Sequence, residues 1–195
     1  MKLLVVAVVA LFVFATSASA EDKKKPGPIQ LKIVAKSDKY KFDGGGKTAD
    51  EYKKALEETA AKLAKGERAT PPKPLAVDLV LQITNTTAEE VTIYVGGDPN
   101  VYTFELTGGA GTVNVNNPVA FTADFRLPKA VTLAAGKSHE IPVKAFADGA
   151  RGFSRLVFWT GPGEYKLAAT YSLSNKDGGK SDVLKSEPVK ITVEK

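Results

Sequence analysis

The 195-residue chain contains no cysteine, one methionine, one tryptophan and one histidine. Without cysteine there are no disulfide scaffolds, thiolate metal centres, thiol nucleophiles or cysteine-linked lipids. The lone imidazole, His139, cannot by itself furnish a histidine-rich metal site, and no cofactor is expected. Beyond the first twenty residues no apolar run approaches the ~18 residues of a spanning helix. No arginine-rich patch with interleaved aromatics occurs, so the formal charge of +5 does not mark a nucleic-acid surface. What remains is a globular composition, 43% hydrophobic and 25% charged. At this length roughly 70% of the chain surface can be buried, enough for a core without disulfide or metal.

The N-terminus reads as a secretory signal, residues 1–20. Lys2 supplies the positive charge, residues 3–14 are apolar, and Ala18-Ser19-Ala20 gives the small-x-small cleavage pattern. Cleavage is expected after Ala20, which places the protein in a secreted or periplasmic location with no membrane span after processing. Residues 21–28, Glu-Asp-Lys-Lys-Lys-Pro-Gly-Pro, are expected to form a disordered leader. The folded domain is then 29–195.

Most of that domain alternates with period two. Val77, Leu79, Leu81 and Ile83 fall on one face, and Val91, Ile93 and Val95 repeat the pattern. So do Tyr102, Phe104 and Leu106, then Tyr165, Leu167, Ala169, Tyr171 and Leu173, then Val189, Ile191 and Val193. Each run predicts a strand with one face buried. Shorter candidate strands lie at 29–35, 40–42, 112–115, 119–125, 131–133, 139–143 and 155–159. Glycine- and asparagine-rich turns separate them. Many short strands without interleaved helices predict a mainly β, antiparallel sandwich. One amphipathic helix, at about 48–65, is inserted near the N-terminus. Thr48 and Glu51 make a capping box, Tyr52, Leu56, Ala60 and Leu63 make an apolar stripe, and Gly66 stops the helix before Pro71, Pro72 and Pro74. Whether this helix docks on the sheets is left open by its short apolar side chains.

Residues 77–173 resemble bacterial immunoglobulin-like domains, most of all the intracellular proteinase inhibitor domain family. The resemblance rests on the strand 79–87 ending in Asn85-Thr86-Thr87, on Val91-Thr92-Ile93-Tyr94, on Val131-Thr132-Leu133-Ala134-Ala135-Gly136-Lys137, and on Pro162-Gly163-Glu164-Tyr165-Lys166-Leu167. It implies an Ig-like sandwich and, as one expectation, a proteinase inhibitor presenting a loop at the end of the sandwich. Independently of any family, Tyr165 opens a strand facing inward, and a buried phenol there needs a backbone partner at the corner.

Several constellations invite a chemical reading. Gly44-Gly45-Gly46-Lys47-Thr48 opens a helix as a phosphate loop would, but Lys41 stands where that motif has its first glycine, so a flexible glycine linker is expected. His139 with Ser138 or Ser154 lacks the context of a nucleophilic serine. Asn175, Asp177, Ser181 and Asp182 offer oxygens to calcium, yet Lys176 and Lys180 lie among them and a hairpin loop is favoured. Asn85-Thr86-Thr87 matches a glycosylation acceptor and equally suits a polar turn.

The least ordinary segment is 146–163, with Phe146, Phe153, Phe158 and Trp159 beside Arg151 and Arg155. Arginine and aromatics are enriched at binding hot spots. Asp148-Gly149-Ala150-Arg151-Gly152 reads as a shaped loop that turns Arg151 and Arg155 outward as ligand-binding residues. Trp159 either flanks that surface or fills the core. The expectation is an exported, non-catalytic module with a binding or structural role in the cell envelope, its partner a protein or a polysaccharide. A proteinase inhibitor and a carbohydrate-binding module are the alternatives.

Overall fold

Alternating apolar side chains bury one face of a strand, and that pattern accounts for nearly every element. The computed structural model describes residues 27–120 and 123–195. The expected signal sequence, its expected cleavage site and residues 21–26 of the expected leader lie outside the described residues. In chain order the elements are β1 (Ile29–Ala35), β2 (Lys39–Lys41), α1 (Ala49–Ala64), β3 (Ala76–Asn85), β4 (Val91–Val95), β5 (Tyr102–Gly108) and β6 (Thr112–Pro118). There follow β7 (Lys129–Leu133), β8 (Ser138–Ala145), β9 (Ala147–Ala150), β10 (Phe153–Trp159), β11 (Gly163–Ser174), β12 (Lys180–Lys185) and β13 (Val189–Glu194).

One antiparallel sheet has β3 between β1 and β8, in the register Ile33↔Leu81↔Ile141. A larger sheet is built on the long strand β11. β13 and then β12 pair along one edge of β11, while β5 and then β4 take the other, and β7 extends beyond β4. β2 runs parallel to β13, a departure from the all-antiparallel expectation. Inner-facing side chains of both sheets, among them Ile33, Leu81, Ile83, Phe104, Leu167, Tyr171 and Ile191, share one core. The arrangement is consistent with a β-sandwich.

A third sheet, in the order β6-β10-β9, is buried on both faces of its central strand. Val157 and Trp159 face the shared core, whereas Leu156 and Phe158 join Val113, Val115 and Leu56 in a second cluster under α1. The helix therefore docks, through the stripe of Tyr52, Leu56, Ala60 and Leu63. Its ends form as the sequence dictates. Thr48 N donates to Glu51 Oε2 (2.9 Å) and Glu51 N to Thr48 Oγ1 (3.3 Å), while Glu67 N donates to Lys62 O and Gly66 N to Leu63 O.

The corner at Tyr165 closes one end of the molecule. Its hydroxyl donates to Gly161 O at 2.7 Å and accepts from Ala110 N at 3.2 Å, so the buried ring leaves no polar atom stranded. Gly109 is required there, because a Cβ at that position would lie 2.1 Å from Tyr165 Cζ.

Two strands escape the periodic reading and one expected strand is absent. β12 is exposed along most of its length and so carries no alternation, and β9 is built from turn-type residues. Conversely, residues 119, 120 and 123–125 are not strand, and Val119 and Phe125 point to solvent.

Candidate functional site

The segment expected to be a loop is a tight hairpin. β9 and β10 are joined by the two residues Arg151-Gly152, with Ala150 opposite Phe153 and Asp148 directly opposite Arg155. Opposed residues share a face, and here they form an ion pair. Arg155 Nε donates to Asp148 Oδ1 at 2.8 Å and Arg155 Nη2 to Asp148 Oδ2 at 2.6 Å. The same two side chains serve the backbone of β5. Phe104 N donates to Asp148 Oδ2 at 2.6 Å, and Arg155 Nη2 donates to Phe104 O at 2.7 Å. The ion pair thus occupies the edge of β5 away from β11, where another strand would otherwise pair.

This corrects the expectation that Arg155 is turned out to a ligand. Its side chain is 25% exposed and that of Asp148 only 1%. The bond to Asp148 raises the guanidinium's pKa above its already high ordinary value. Of the two places open to Trp159 it takes the core, not the ligand surface: it is 2% exposed, its ring centroid 5.2 Å from that of Tyr40 and 5.9 Å from that of Phe146. The period of β10 sends position 159 into the shared core together with Val157.

Arg151, at the tip of the hairpin, is no more exposed than Arg155, at 25%, and differs from it in its partners. Its Nη2 donates to Ala123 O at 2.9 Å, Nη1 lies 3.6 Å from Asp98 Oδ2, and its guanidinium carbon sits 5.8 Å from the centre of the Phe125 ring. Asp98, nearly buried, is mainly engaged with Arg126. Arg126 Nε donates to Asp98 Oδ1 (2.9 Å), Arg126 N to Asp98 Oδ2 (3.1 Å), and Asp98 N to Arg126 O (2.9 Å). These contacts hold the Asp98 carboxyl below the usual carboxylate range, the Arg126 N–H first and its guanidinium next. Gly97 lets the two segments meet, since a Cβ there would fall 2.5 Å from Arg126 O.

A cleft of about 590 Å³ opens between the hairpin tip, the 97–102 loop and residues Asp124 and Arg126. Of the large apolar side chains exposed at this end, Phe153 (46%) and, less so, Val119 line the cleft, while Phe125 (53%) and Leu127 (58%) are chain neighbours of its lining residues Asp124 and Arg126. These are four of the five large hydrophobics exposed among the described residues, the fifth being Val183 on β12. Phe125 and Leu127 both lie against Gly178 in the β11–β12 turn. Sequence reasoning missed Phe125, because the alternation over 119–125 read as a strand with a buried face, and it missed Leu127 and Asp98, which carry no local pattern.

The other sequence candidates are structural where they are found. The glycine segment before α1 is an ordered turn rather than a flexible linker: Lys47 N donates to Gly44 O (3.2 Å) and Gly45 N to Asp43 Oδ1 (2.9 Å). Ser138 Oγ shares a hydrogen bond with Thr84 Oγ1 (2.8 Å) and, as the strand neighbour of His139, faces the opposite side of β8. Asn175 Oδ1 accepts from Asp177 N and Gly179 N, making the hairpin turn. Asn85 is fully buried. Its Nδ2 donates to Glu89 O and Leu133 O, and its Oδ1 accepts from Thr87 N, which commits the sequon to a turn tying β3, β4 and β7. Among the described residues no helix is long and apolar enough to cross a membrane. No protein-family model matches the chain, and no curated protein matches it in sequence.

Proposed function

We propose that the chain is an exported, non-catalytic Ig-like β-sandwich module that works in the cell envelope by binding, with its ligand surface at the end bearing Phe125, Leu127, Phe153 and Arg151. The observation that carries this reading is the gathering of nearly all large exposed apolar side chains at that one end. Single exposed hydrophobics are ordinary; a cluster around a cleft marks an interaction surface. The expected secretory signal supports the setting, and the resemblance to bacterial Ig-like domains supports the fold. The two tightly packed clusters and the Tyr165 corner support a rigid frame whose loops are free to vary.

Of the alternatives, carbohydrate binding draws support from the half-exposed rings of Phe125 and Phe153, which offer flat apolar faces beside polar groups. Proteinase inhibition would use a loop that projects into a protease, whereas Arg151 at the tip is turned back on Ala123 and Asp98. The test uses protein recovered from the cell envelope, with intact mass expected to show loss of residues 1–20. Retention on insoluble cellulose, chitin and peptidoglycan, and slowed cleavage in a protease panel, are measured for wild type and for Phe125→Ser with Leu127→Ser. Retention that the substitutions abolish at unchanged melting temperature supports the surface. Retention equal in both proteins overturns it.

A further inference from the structure

We infer that the free edge of β6 takes an extended peptide of a partner protein as an added strand, seated in the groove between β6 and the C-terminal half of α1. This site is separate from the end bearing Phe125 and Leu127, although Phe153 borders both the cleft and the groove.

The backbone of β6 sets up the edge. Its register with β10 is unbroken from Thr112↔Trp159 to Pro118↔Phe153. Just beyond the two ends, Thr160 N donates to Gly111 O (3.0 Å) and Val119 N to Gly152 O (3.2 Å). The odd-numbered residues of β6 therefore turn their N–H and C=O groups to β10, and the even-numbered Asn114 and Asn116 turn theirs away. Among the described residues no strand pairs with β6 on that side, and no side chain takes these groups in the way that Asp148 and Arg155 take those of Phe104.

Open edges template pairing with another chain, and proteins blunt them with charge, proline or cover. Lysine stands in each of β1, β2, β7, β8 and β12, and β9 is closed against β5 by Asp148 and Arg155. β6, Thr-Val-Asn-Val-Asn-Asn-Pro, has no charge and only a terminal proline. The helix does not close it either. A groove of about 600 Å³ lies between them, walled by Ala60, Ala61 and Ala64 of α1 and by Asn114 and Asn116 of β6, with the half-exposed Phe153 beside the end of the strand.

Unpaired N–H and C=O groups two residues apart along one edge match the backbone of another strand, and pockets for alternate side chains supply the specificity. Here the alanines of α1 leave apolar room for every second side chain of the peptide. Antiparallel pairing of two β6 edges would set both copies of α1 on one face of the joined sheet and crowd the groove, so a lone segment is the better fit.

The experiment pans a phage library of random peptides of about ten residues, the upper length of an ordinary strand, over the immobilised protein, and titrates an enriched peptide after synthesis. In the free protein the Asn114 and Asn116 amides should exchange quickly and that of Val115, turned to β10, slowly; bound peptide should slow the first two. Asn116→Pro removes one edge donor and should weaken binding at least about tenfold, while Asn116→Ala keeps the donor and should bind within about twofold of wild type. Ala61→Gln, at an exposed helix position, fills the groove and should weaken binding several-fold with the melting temperature unchanged. Phe125→Ser with Leu127→Ser should bind the peptide as wild type does, so the edge and the proposed ligand surface stand or fall separately. A library that yields no binding peptide overturns the inference. So does a peptide that Asn116→Pro and Ala61→Gln bind as tightly as wild type, or one that leaves the Asn114 and Asn116 amides unslowed. A dimer in solution that Asn116→Pro dissociates overturns it too, a second copy then being the occupant.

Discussion

Arg151 and Arg155 sit on one hairpin, each beside an aspartate, and the two pairs do opposite work. Arg155 meets Asp148 directly across the ladder, and together they grip both backbone groups of Phe104, joining the third sheet to the edge of β5. Arg151 reaches Asp98 only at 3.6 Å, spends a hydrogen bond on Ala123 O, and borders a segment that displays Phe125 and Leu127 to solvent. The first pair belongs to the frame and the second to the surface the frame carries. Composition is no guide to which is which. Register decides the partners rather than the exposure, since both side chains are 25% exposed: the residue with an inward aspartate across the ladder bonds to the frame, and the one in the two-residue turn bonds to the neighbouring loops.

The comparison sharpens when each part is removed, beginning with an undisputed member of the frame. Tyr165→Ala deletes a buried ring and strands Ala110 N–H, and should cost about 3–5 kcal/mol in urea unfolding. A loss of a few tenths would mean the corner does not hold that end. Next, Asp148→Ala leaves the Arg155 charge partly buried and Phe104 N–H without its acceptor. The expected loss is about 3 kcal/mol, at the lower end for broken buried pairs because the guanidinium is a quarter exposed. Replacing both partners, Asp148→Ala with Arg155→Leu, should recover part of it, since no uncompensated charge remains.

Arg151→Ala should move the melting temperature far less than Asp148→Ala, because the frame contacts stay intact. Its effect should be local: chymotrypsin cleavage after Phe125 should quicken several-fold as the tie to Ala123 O is lost. If Arg151→Ala instead destabilises as much as Asp148→Ala, the division between frame and surface collapses.

The sequence announced the frame better than the site. Alternation located β3, β4, β5, β11 and β13, the capping box located α1 to within a residue, and Pro-Gly-x-Tyr located the corner. Each is a local rule, a side-chain period or a cap, with its cause inside a few residues. β12 was illegible because only Leu184 of its side chains packs on the core and the rest face solvent. The site depended on contacts across long stretches of chain. Asp98 and Arg126 come from different loops, and nothing near either residue signals the other. Trp159 illustrates the same limit within one strand: a run buried on both faces has no polar face to show which way each residue points.

The smallest expected effect is a pH dependence confined to the Asp98 clamp. The Arg126 N–H, and then its guanidinium, hold the Asp98 carboxyl below its ordinary range. A carboxyl depressed in the folded state contributes stability that is fully present above its unfolded value, about 3.9, and lost as pH falls through its folded value. The clamp should therefore be indifferent to pH from neutrality down to about 4 and should loosen below that. Protection of the Asp98 and Arg126 amides against hydrogen exchange reads it directly, each corrected for the intrinsic pH dependence of exchange. Asp98→Asn keeps an acceptor oxygen but cannot ionise, so its amides should be less protected at neutral pH and should show no further step on acidification. The amide of Val157, which donates to the backbone oxygen of Phe146, should keep its protection through the same range in both proteins. If wild type and Asp98→Asn lose protection at the same pH, the carboxylate is not what pins residues 125–127. The exposure of Phe125 and Leu127 would then need a cause other than the ionised clamp.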